Sequence, residues 1–498
     1  MATGLVESGS SRGRSAEMRS MEALLNVAVS CTDARVQLRQ TYTALAAELQ
    51  SLREEVKSHR REAAAAKKER AAEMKKRARE RGSSENLSAL AAGATDEESS
   101  GAHAVKSIKR AYNFSAGPAS IPLQPLLTMQ KELPDCGVGA GIIELSHRDK
   151  NGPVQTSVRR AAENIKKLLE VPDTHEVLLM HGGAHGQFAA VPLNLLGAGS
   201  MKKRGAYVDG GVWSRRAMSE GAKYCDALLA ASAADSEYTA YPPVSEWNIP
   251  EDCAFVHVCS NETIEGLEFH TDPDVGPDRV LVADFTSSLL SRRVDVSKYG
   301  VLYASSGKNL GPSGVCVVIV RKSLMGTHKA ETPSILTYSA LAGLEVNPIL
   351  GNAQSPNLYN TPNTFACRMV ELITDDLIAK GGMDWAEKQV KRRSAELYSL
   401  IDSSNNFYVN TVDAAWRSRV TIIFKIRPDL NADAEEGSVG GGKALENKFV
   451  AEAHAAGFQQ LFGHPISGGL RVCLYNGVSE EAFKALMRFM KLFMRRNK

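Results

Sequence analysis

The sequence lacks the features that mark membrane, secreted and disulfide-bonded proteins. No apolar run reaches about 18 residues, the length at which a membrane-spanning helix is expected. Residues 1–20 contain no apolar core of the kind that a secretory signal requires. Eight cysteines are scattered over 498 residues, and no two of them form a Cys-x-x-Cys motif. In a chain of this length, such spacing is typical of reduced thiols inside a cell.

The chain also lacks a strong excess of charge of either sign. A formal net charge of +3 implies by itself neither a nucleic-acid nor a membrane partner, and 43% hydrophobic residues are typical of a globular protein. The length allows two or three domains with a sizeable core. We therefore expect a cytoplasmic protein. A plastid or mitochondrial transit peptide at residues 1–20 is the alternative, although Glu7 and Glu17 are atypical of one.

Residues 1–107 form an N-terminal extension whose composition differs from the rest. Its apolar residues follow heptad spacing, which predicts either a short coiled coil or a single amphipathic helix, and the sequence favours neither. Residues 57–81 are rich in Lys and Arg and predict a basic helix, while residues 82–104 have the composition of a disordered linker. The heptad positions are Leu38, Tyr42, Leu45, Leu49, Leu52 and Val56.

The basic helix has several possible roles. The simplest interpretation is a solvated helix, and the alternatives are binding to RNA, to an acidic partner or to a membrane surface. The lack of interleaved aromatic residues argues against base stacking. We expect neither a nucleic-acid nor a membrane partner, and a protein partner of residues 18–81 stays open.

From about residue 108, short apolar runs alternate with helical stretches. This alternation predicts an α/β fold with a mainly parallel sheet and helices on both faces. In such sheets, ligands bind beyond the carboxyl ends of the strands. We expect a large domain at 108–374 and a smaller α+β domain at 375–498, with extra loops at 342–354 and 431–442. The predicted strands of the large domain are 176–180, 204–209, 254–259, 280–284, 301–305 and 315–320.

One lysine lies just after the end of a predicted buried strand. The run Val301–Ser305 is apolar or small, Lys308 follows it, and a Gly/Pro-rich stretch comes next. Lysine is rarely buried without a task. Desolvation lowers the pKa of an amine and frees its lone pair, so Lys308 is a candidate for a Schiff base with a carbonyl, as in pyridoxal phosphate (PLP) enzymes.

Three other interpretations of this lysine were weighed. A P-loop would need glycine at position 302 and serine or threonine at 309, where the chain has Leu302 and Asn309. Ser305 and Lys308 fit the Ser-x-x-Lys motif of penicillin-binding enzymes, but the chain has no Ser-Asp-Asn or Lys-Thr-Gly partner motif. The third interpretation is an ordinary solvated lysine, and the surrounding sequence argues against it.

That surrounding sequence contains three further features of a PLP site. Asp284 ends the apolar run 280–284, where a carboxylate can hold a protonated ring nitrogen. The Gly-rich turn 181–186 lies between a predicted strand and a helix, where backbone N–H groups can hold a phosphate. Trp213 is a candidate for stacking on the ring, although alone it would pass for an ordinary core or surface tryptophan. Each signal is weak alone, and their order along an α/β chain makes them stronger together.

With these residues assembled, the chain resembles the phosphoserine aminotransferases, which are class-V PLP enzymes of fold-type I. The resemblance runs from about Tyr112 to the C-terminus. It implies a large PLP-binding domain with a mixed, mainly parallel sheet and a small C-terminal domain. The stretches that carry it are Asn113–Pro118, Glu144–Arg148, Gly186–Asn194, Asn261–Gly266, Ala283–Ser287, Lys308–Pro312, Asn360–Phe365 and Gly468–Asn476.

The resemblance implies a catalytic role for two of these residues and a cofactor role for two more. Lys308 is implied to be the Schiff-base lysine that also moves the proton, and Asp284 the partner of the pyridine nitrogen. Trp213 is implied to stack on the ring, and Thr263 to hydrogen-bond a cofactor oxygen. No metal site is expected.

The remaining implied roles concern three anionic groups, which are the cofactor phosphate, the distal anion of the substrate and its α-carboxylate. Ala184 and His185 match the backbone cradle of the cofactor phosphate. Asn360 and Thr361 match a pair that reaches this phosphate from the neighbouring subunit, which implies a homodimer with shared active sites. The residues implied to bind substrate are His147, Arg148 and His464 at its distal anion and Arg471 at its α-carboxylate.

Three positions depart from the family pattern. His185 and Pro465 stand where the family usually has arginine, and Gly307 stands where it has a glutamine that contacts the cofactor phosphate. An arginine forms bidentate, charge-assisted hydrogen bonds that neither histidine nor proline reproduces. We therefore expect weaker binding of the cofactor, and the changes at positions 185 and 465 affect the preference for a phosphorylated substrate.

The resemblance implies transamination between L-glutamate and 3-phosphohydroxypyruvate, giving 2-oxoglutarate and O-phospho-L-serine in serine biosynthesis. Two alternatives stay open. One is a class-V aminotransferase with altered keto-acid specificity, favoured by His185 and Pro465. The other is a catalytically weakened relative that acts as a binding or scaffold protein through its N-terminal helix, for which Gly307 is the only hint.

Overall fold

A computed structural model describes residues 110–197, 202–346, 355–427 and 444–497. Residues Lys109–Lys498 form one compact unit. The predicted N-terminal extension, with its coiled-coil or amphipathic helix, basic helix and linker, lies outside the described residues. So do the predicted loop at 431–442 and most of the one at 342–354.

A seven-stranded mixed sheet forms the centre of the fold. Its strands have the order β2-β8-β7-β6-β5-β3-β4, and every neighbouring pair is parallel except those made by β8, which is antiparallel to both β2 and β7. The predicted mainly parallel sheet is therefore confirmed. The strands are β2 (His175–Gly182), β3 (Arg204–Asp209), β4 (Asp226–Ser232), β5 (Cys253–Cys259), β6 (Val280–Asp284), β7 (Tyr299–Ser305) and β8 (Gly314–Arg321), after a short β1 (Tyr112–Asn113).

Helices cover both faces of this sheet. Alternate residues of β2 show the division: Val177 and Leu179 belong to one apolar core, while Leu178 and Met180 belong to another. This alternation is the period of two that a strand imposes on its side chains. The helices are α1 (Leu123–Glu132), α2 (Pro153–Leu168), α3 (Ala184–Leu195), α4 (Val212–Gly221), α5 (Tyr338–Leu341), α6 (Thr364–Ala379), α7 (Gly382–Asp402), α8 (Ala444–Ala455) and α9 (Glu480–Asn497).

The first core packs α2 and α6 against the sheet, and the second packs α3 against its other face. Val158 and Ile165 of α2 and Val370 of α6 lie in the first core. Phe188 and Val191 of α3 lie in the second. In the described parts of the chain, no helix is both long and apolar enough to cross a membrane.

A smaller antiparallel sheet follows in the C-terminal part, with strand order β12-β13-β10-β9. Helices α7, α8 and α9 contribute to its core, in which Leu397, Phe449 and Phe493 are buried. The strands are β9 (Tyr408–Val409), β10 (Thr421–Ile426), β12 (Phe462–His464) and β13 (Gly468–Cys473), while β11 (Phe458–Gln459) pairs with β1. No observation here divides the unit at 374/375, so the predicted domain boundary stays a prediction.

Two strands differ from the sequence-based expectation. Strand β4 was not predicted, because it lies at the edge of the sheet and most of its side chains are only partly buried. In the C-terminal part, the mainly apolar and β-branched residues of Phe407–Val412 predict a strand, but only Tyr408–Val409 pairs. Asn410 ends the pairing, because its Oδ1 accepts the Val412 N–H and its Nδ2 donates to the Ile423 carbonyl.

The aromatic core of the C-terminal part supplies a stability prediction. Phe449 is fully buried, and its ring centroid lies 5.0 Å from that of Phe493 and 5.1 Å from that of Phe489. We expect Phe449→Ala to lower the free energy of unfolding by about 3–5 kcal/mol, measured by urea unfolding. Phe462→Ala is the matched control, since that side chain is 49% exposed and should cost less than about 1 kcal/mol. Equal losses in the two variants would contradict the assignment of this core.

Candidate active site

A cavity of about 370 Å³ lies beyond the carboxyl ends of three parallel strands. Strands β5, β6 and β7 end at Cys259, Asp284 and Ser305, and all three residues line the cavity. Parallel strands deliver their carboxyl ends to one edge of the sheet, and ligands bind there in α/β folds. The cavity therefore lies where the sequence predicts the site, beyond the carboxyl ends of the strands.

Lys308 lies in this cavity, three residues after the end of β7. Burial lowers the pKa of its amine below the ordinary value, while the nearby carboxylate of Asp284 acts in the opposite direction. A Cβ at Gly117 would lie 3.3 Å from Cε of Lys308, and Gly117 has a φ of +145°, which favours glycine. Lys308 is thus closely packed, and a larger fraction of its amine is neutral than in water.

Asp284 is buried at the end of β6 and accepts the N–H of Thr286 at 2.8 Å. Burial raises the pKa of its carboxyl group, and the hydrogen bonds from Thr286 and the charge of Lys308 partly offset this effect. A buried carboxylate of this kind is stabilised by a cation placed next to it. Asp284 therefore suits a protonated ring nitrogen.

Trp213 is held at the cavity by its ring and by its main chain. Its Nε1 donates to Oγ1 of Thr263 at 2.9 Å, and its backbone N–H donates to Oε2 of Glu262 at 3.1 Å. The other oxygen of Glu262 accepts the N–H of Ser214 at 2.8 Å. Nearby, Glu265 Oε1 accepts the N–H of Val212 at 3.0 Å. Two carboxyl groups from one loop thus accept the N–H groups that have no partner within the first turn of α4.

The start of α3 supplies the backbone groups expected for a phosphate. Gly183, Ala184 and His185 all line the cavity, and no side chain caps the helix at Gly183. The first N–H groups of a helix have no partner within it, and they point to where an anion binds. The ring of His185 meets that of Trp213 edge-on, with centroids 6.0 Å apart. Gly307 also lines the cavity, without a side chain to add a donor.

Arg471 and His464 line the same cavity from the C-terminal sheet. Nη1 of Arg471 donates to the Thr263 carbonyl at 3.2 Å, while its Nε is buried without a hydrogen-bond partner. Oδ1 of Asn261, another lining residue, is likewise buried without a partner. Burial lowers the pKa of His464, and the charges of Arg471 and Arg216 lower it further. The site therefore offers unused polar groups at its substrate side.

Four of the predicted site residues do not line this cavity. Arg148, Asn360 and Thr361 are exposed, and His147 is partly buried in the loop that precedes α2. Burial and the charge of Arg148 lower the pKa of His147. The predicted sharing of Asn360 and Thr361 with a neighbouring subunit stays a prediction.

Sequence reasoning missed the two carboxyl groups that hold the start of α4. Glu262 and Glu265 lie within the stretch Asn261–Gly266, which was noted only as part of the family resemblance. A signal was present, because two acidic residues directly follow a strand whose residues are all buried. Charged residues in such a place are rarely without a partner.

The comparisons with known proteins agree with this geometry. A family profile described as "Aminotransferase class-V" matches residues 111–435. The phosphoserine aminotransferase of Hahella chejuensis (strain KCTC 2396) is 40% identical over 389 residues, which are 78% of this chain and 99% of that protein. The chain belongs to the phosphoserine aminotransferase family.

Solved structures of this family share the fold. The phosphoserine aminotransferase from Bacillus circulans subsp. alkalophilus has a TM-score of 0.69 and 36% identity, covering 78% of this chain and 99% of its own. The PLP-bound enzyme from Trichomonas vaginalis has a TM-score of 0.65 and 32% identity, covering 77% and 100%. The predicted PLP fold-type I architecture is confirmed, and the chain is a PLP-dependent transaminase.

The residues present fit PLP as the cofactor. The cavity combines an amine of lowered pKa, a buried carboxylate, a flat aromatic ring and a helix N-terminus without a side-chain cap. Lys308, Asp284, Trp213 and Thr263 would hold the cofactor's pyridine part, and the backbone at Ala184 its phosphate. PLP supplies an aldehyde that an amine can attack and a ring that withdraws electrons.

The carboxyl pair in the loop after β5 gives a prediction on pH. Burial and the charge of Glu265 raise the pKa of Glu262 to about 8. Protonated Glu262 stabilises the folded state, because the acid binds its proton more tightly there than in the unfolded chain. This stabilisation is complete below the pKa that Glu262 has in the unfolded chain, and it is lost as the pH rises through about 8. We expect the free energy of unfolding to fall by about 1–2 kcal/mol between roughly pH 6 and 8.

Urea unfolding at a series of pH values measures this loss. Glu262→Gln cannot ionise, so this variant should show a clearly flatter pH dependence than the wild type. Glu268→Gln is the matched control, since Glu268 is buried nearby and bonds to the Arg419 N–H rather than to α4. An unchanged pH dependence in Glu262→Gln would refute the assignment.

Proposed function

We propose that this chain catalyses the reversible transfer of an amino group from L-glutamate to 3-phosphohydroxypyruvate, giving 2-oxoglutarate and O-phospho-L-serine for serine biosynthesis. One observation carries the proposal: Lys308, Asp284, Trp213, Thr263 and Arg471 line a single cavity. Support also comes from the 40% identity to a phosphoserine aminotransferase over 99% of its length.

The roles of the residues follow from their surroundings. The neutral amine of Lys308 would hold the cofactor through its carbonyl group and, when free, would carry a proton at Nζ to and from the substrate α-carbon. The negative charge of Asp284 would favour a protonated ring nitrogen. Trp213 and Thr263, which are joined by a hydrogen bond, would contact the face and the edge of the ring. Arg471 holds the α-carboxylate that both substrates share.

The proposal includes a homodimer, in which predicted site residues that lie outside the cavity take part. Asn360 and Thr361 are exposed and do not line the cavity of their own chain, which suits a role at the phosphate of the neighbouring subunit's cofactor. Arg148 and His147 would complete, with His464, the grip on the distal anion of the substrate. A cytoplasmic location stays a prediction. The alternatives of altered keto-acid specificity and of a weakened scaffold protein find no support in the comparisons.

The absorption spectrum of the purified protein tests the proposed reaction. L-Glutamate should remove the visible band of the bound cofactor, and 3-phosphohydroxypyruvate should restore it faster than hydroxypyruvate does. Lys308→Arg keeps the positive charge but loses the amine, and we expect its turnover to fall by at least about 10³-fold. Restoration of the band by hydroxypyruvate alone would overturn the proposed substrate, and no response to glutamate would overturn the proposed reaction.

The missing side chain at Gly307 gives a prediction on cofactor affinity. A Cβ built there would have its nearest neighbours at 3.5–3.7 Å, all in Ser313, so a side chain fits. We expect Gly307→Gln to tighten PLP binding by about tenfold, because the amide adds a hydrogen bond to a charged phosphate. Equilibrium titration of the cofactor-free protein measures this change. Pyridoxal, which has no phosphate, should bind as before; a gain for pyridoxal as large as that for PLP would contradict the proposed contact.

A further inference from the structure

One arginine next to the cavity has no role in the reaction described above. Arg216 lies on α4, one turn after Trp213, and its side chain is exposed. Its guanidinium carbon lies over the ring of Trp213, 5.2 Å from the ring centroid. Because Trp213 lines the cavity, Arg216 places a positive charge next to the cavity wall without being a lining residue itself.

Within the described residues, no carboxylate pairs with Arg216. No hydrogen bond or ion pair joins its side chain to any residue of the described ranges. Glu220, one turn further along α4, bonds instead to Nζ of Lys223 at 2.6 Å and to the hydroxyl of Tyr224 at 3.3 Å. The neighbouring Arg215 differs, since it donates to the hydroxyl of Tyr238 and lies 5.0 Å from the centroid of that ring.

Arg216 acts on the same region as two predicted substrate-binding residues. The pKa of His464 is lowered by burial, by the charge of Arg471 and by that of Arg216. Arg471 and Arg216 therefore give the His464 side of the cavity a positive charge. The nearby carboxyl groups of Asp284 and Glu262 have other hydrogen-bond partners, since Asp284 accepts from Thr286 and Glu262 accepts from the main chain of α4.

A side of this kind suits a doubly charged anion better than a singly charged or neutral group. A phosphate monoester carries nearly two negative charges at neutral pH and presents several acceptor oxygens. An unpaired guanidinium forms charge-assisted, bidentate hydrogen bonds with such a group. The chain has Pro465 next to His464, so position 465 supplies no cation of its own.

We propose that Arg216 binds the phosphate of the keto-acid substrate and sets the preference for a phosphorylated over a non-phosphorylated substrate. This inference rests on the proposed function and adds a residue to it. The phosphate lies at the end of the substrate remote from the α-carboxylate, so Arg216 and Arg471 hold opposite ends of the same molecule. Loss of Arg216 then affects the phosphorylated substrate selectively.

Steady-state kinetics of the PLP-loaded enzyme test this proposal. We compare wild type, Arg216→Gln and Arg216→Lys with 3-phosphohydroxypyruvate and with hydroxypyruvate. We expect Arg216→Gln to lower kcat/KM for 3-phosphohydroxypyruvate by about tenfold or more, and that for hydroxypyruvate by less than about twofold. Arg216→Lys keeps the charge and should recover part of the loss. Most of the change should lie in KM, and O-phospho-L-serine should bind correspondingly more weakly.

Arg215→Gln is the matched control, because it removes an arginine from the adjacent position of the same helix without touching the cavity. It should retain the wild-type preference between the two keto acids. PLP affinity is measured for each variant, since Arg216 also lies over Trp213. Equal losses with both keto acids, or a loss of PLP affinity that accounts for the whole effect, would overturn the inference while leaving the proposed function intact. A wild-type enzyme that does not act on 3-phosphohydroxypyruvate would overturn the proposed function itself.

Discussion

The hydrogen bonds between the loop after β5 and the first turn of α4 determine where the parts of the active site lie. Glu262 accepts the N–H groups of Trp213 and Ser214, while the adjacent Thr263 accepts from the ring of Trp213. The carbonyl of Thr263 then accepts from Arg471. One short loop therefore positions the aromatic face proposed for the cofactor, the polar edge of the same pocket and the arginine proposed for the substrate carboxylate.

The same loop joins the central sheet to the C-terminal part of the fold. Just after it, Leu267 forms an isolated bridge with Arg417, and Glu268 accepts the N–H of Arg419. Strand β10 begins at Thr421, shortly after Arg419, and pairs with β13, which carries Arg471. The groups proposed to hold the cofactor and the arginine proposed to hold the substrate are thus linked through hydrogen-bonded main chain, which limits how far they can separate.

The sequence predicts those parts of the site that follow from local patterns. Lys308 and Asp284 could be found because each stands out at the end of an apolar run, and buried strands of a parallel sheet are such runs. Glu262 could not be assigned a role, because its partners are N–H groups some fifty positions earlier in the chain. Strand β4 was missed because an edge strand has no clear burial pattern. The sequence does not indicate a role for Arg216, because only the fold shows that it lies over Trp213.

The reversed direction of β8 has a consequence for how the lysine moves. Because β8 runs back beside β7, the segment that carries Lys308 is the tip of a hairpin, closed by the pairing of Ser305 with Cys316 and by the bond from Ser306 N–H to the Val315 carbonyl. A tip anchored on both sides cannot swing as a lid does. The distance over which the Lys308 amine can move is therefore set by rotation about the bonds of its own side chain. A substrate has to bind within that distance.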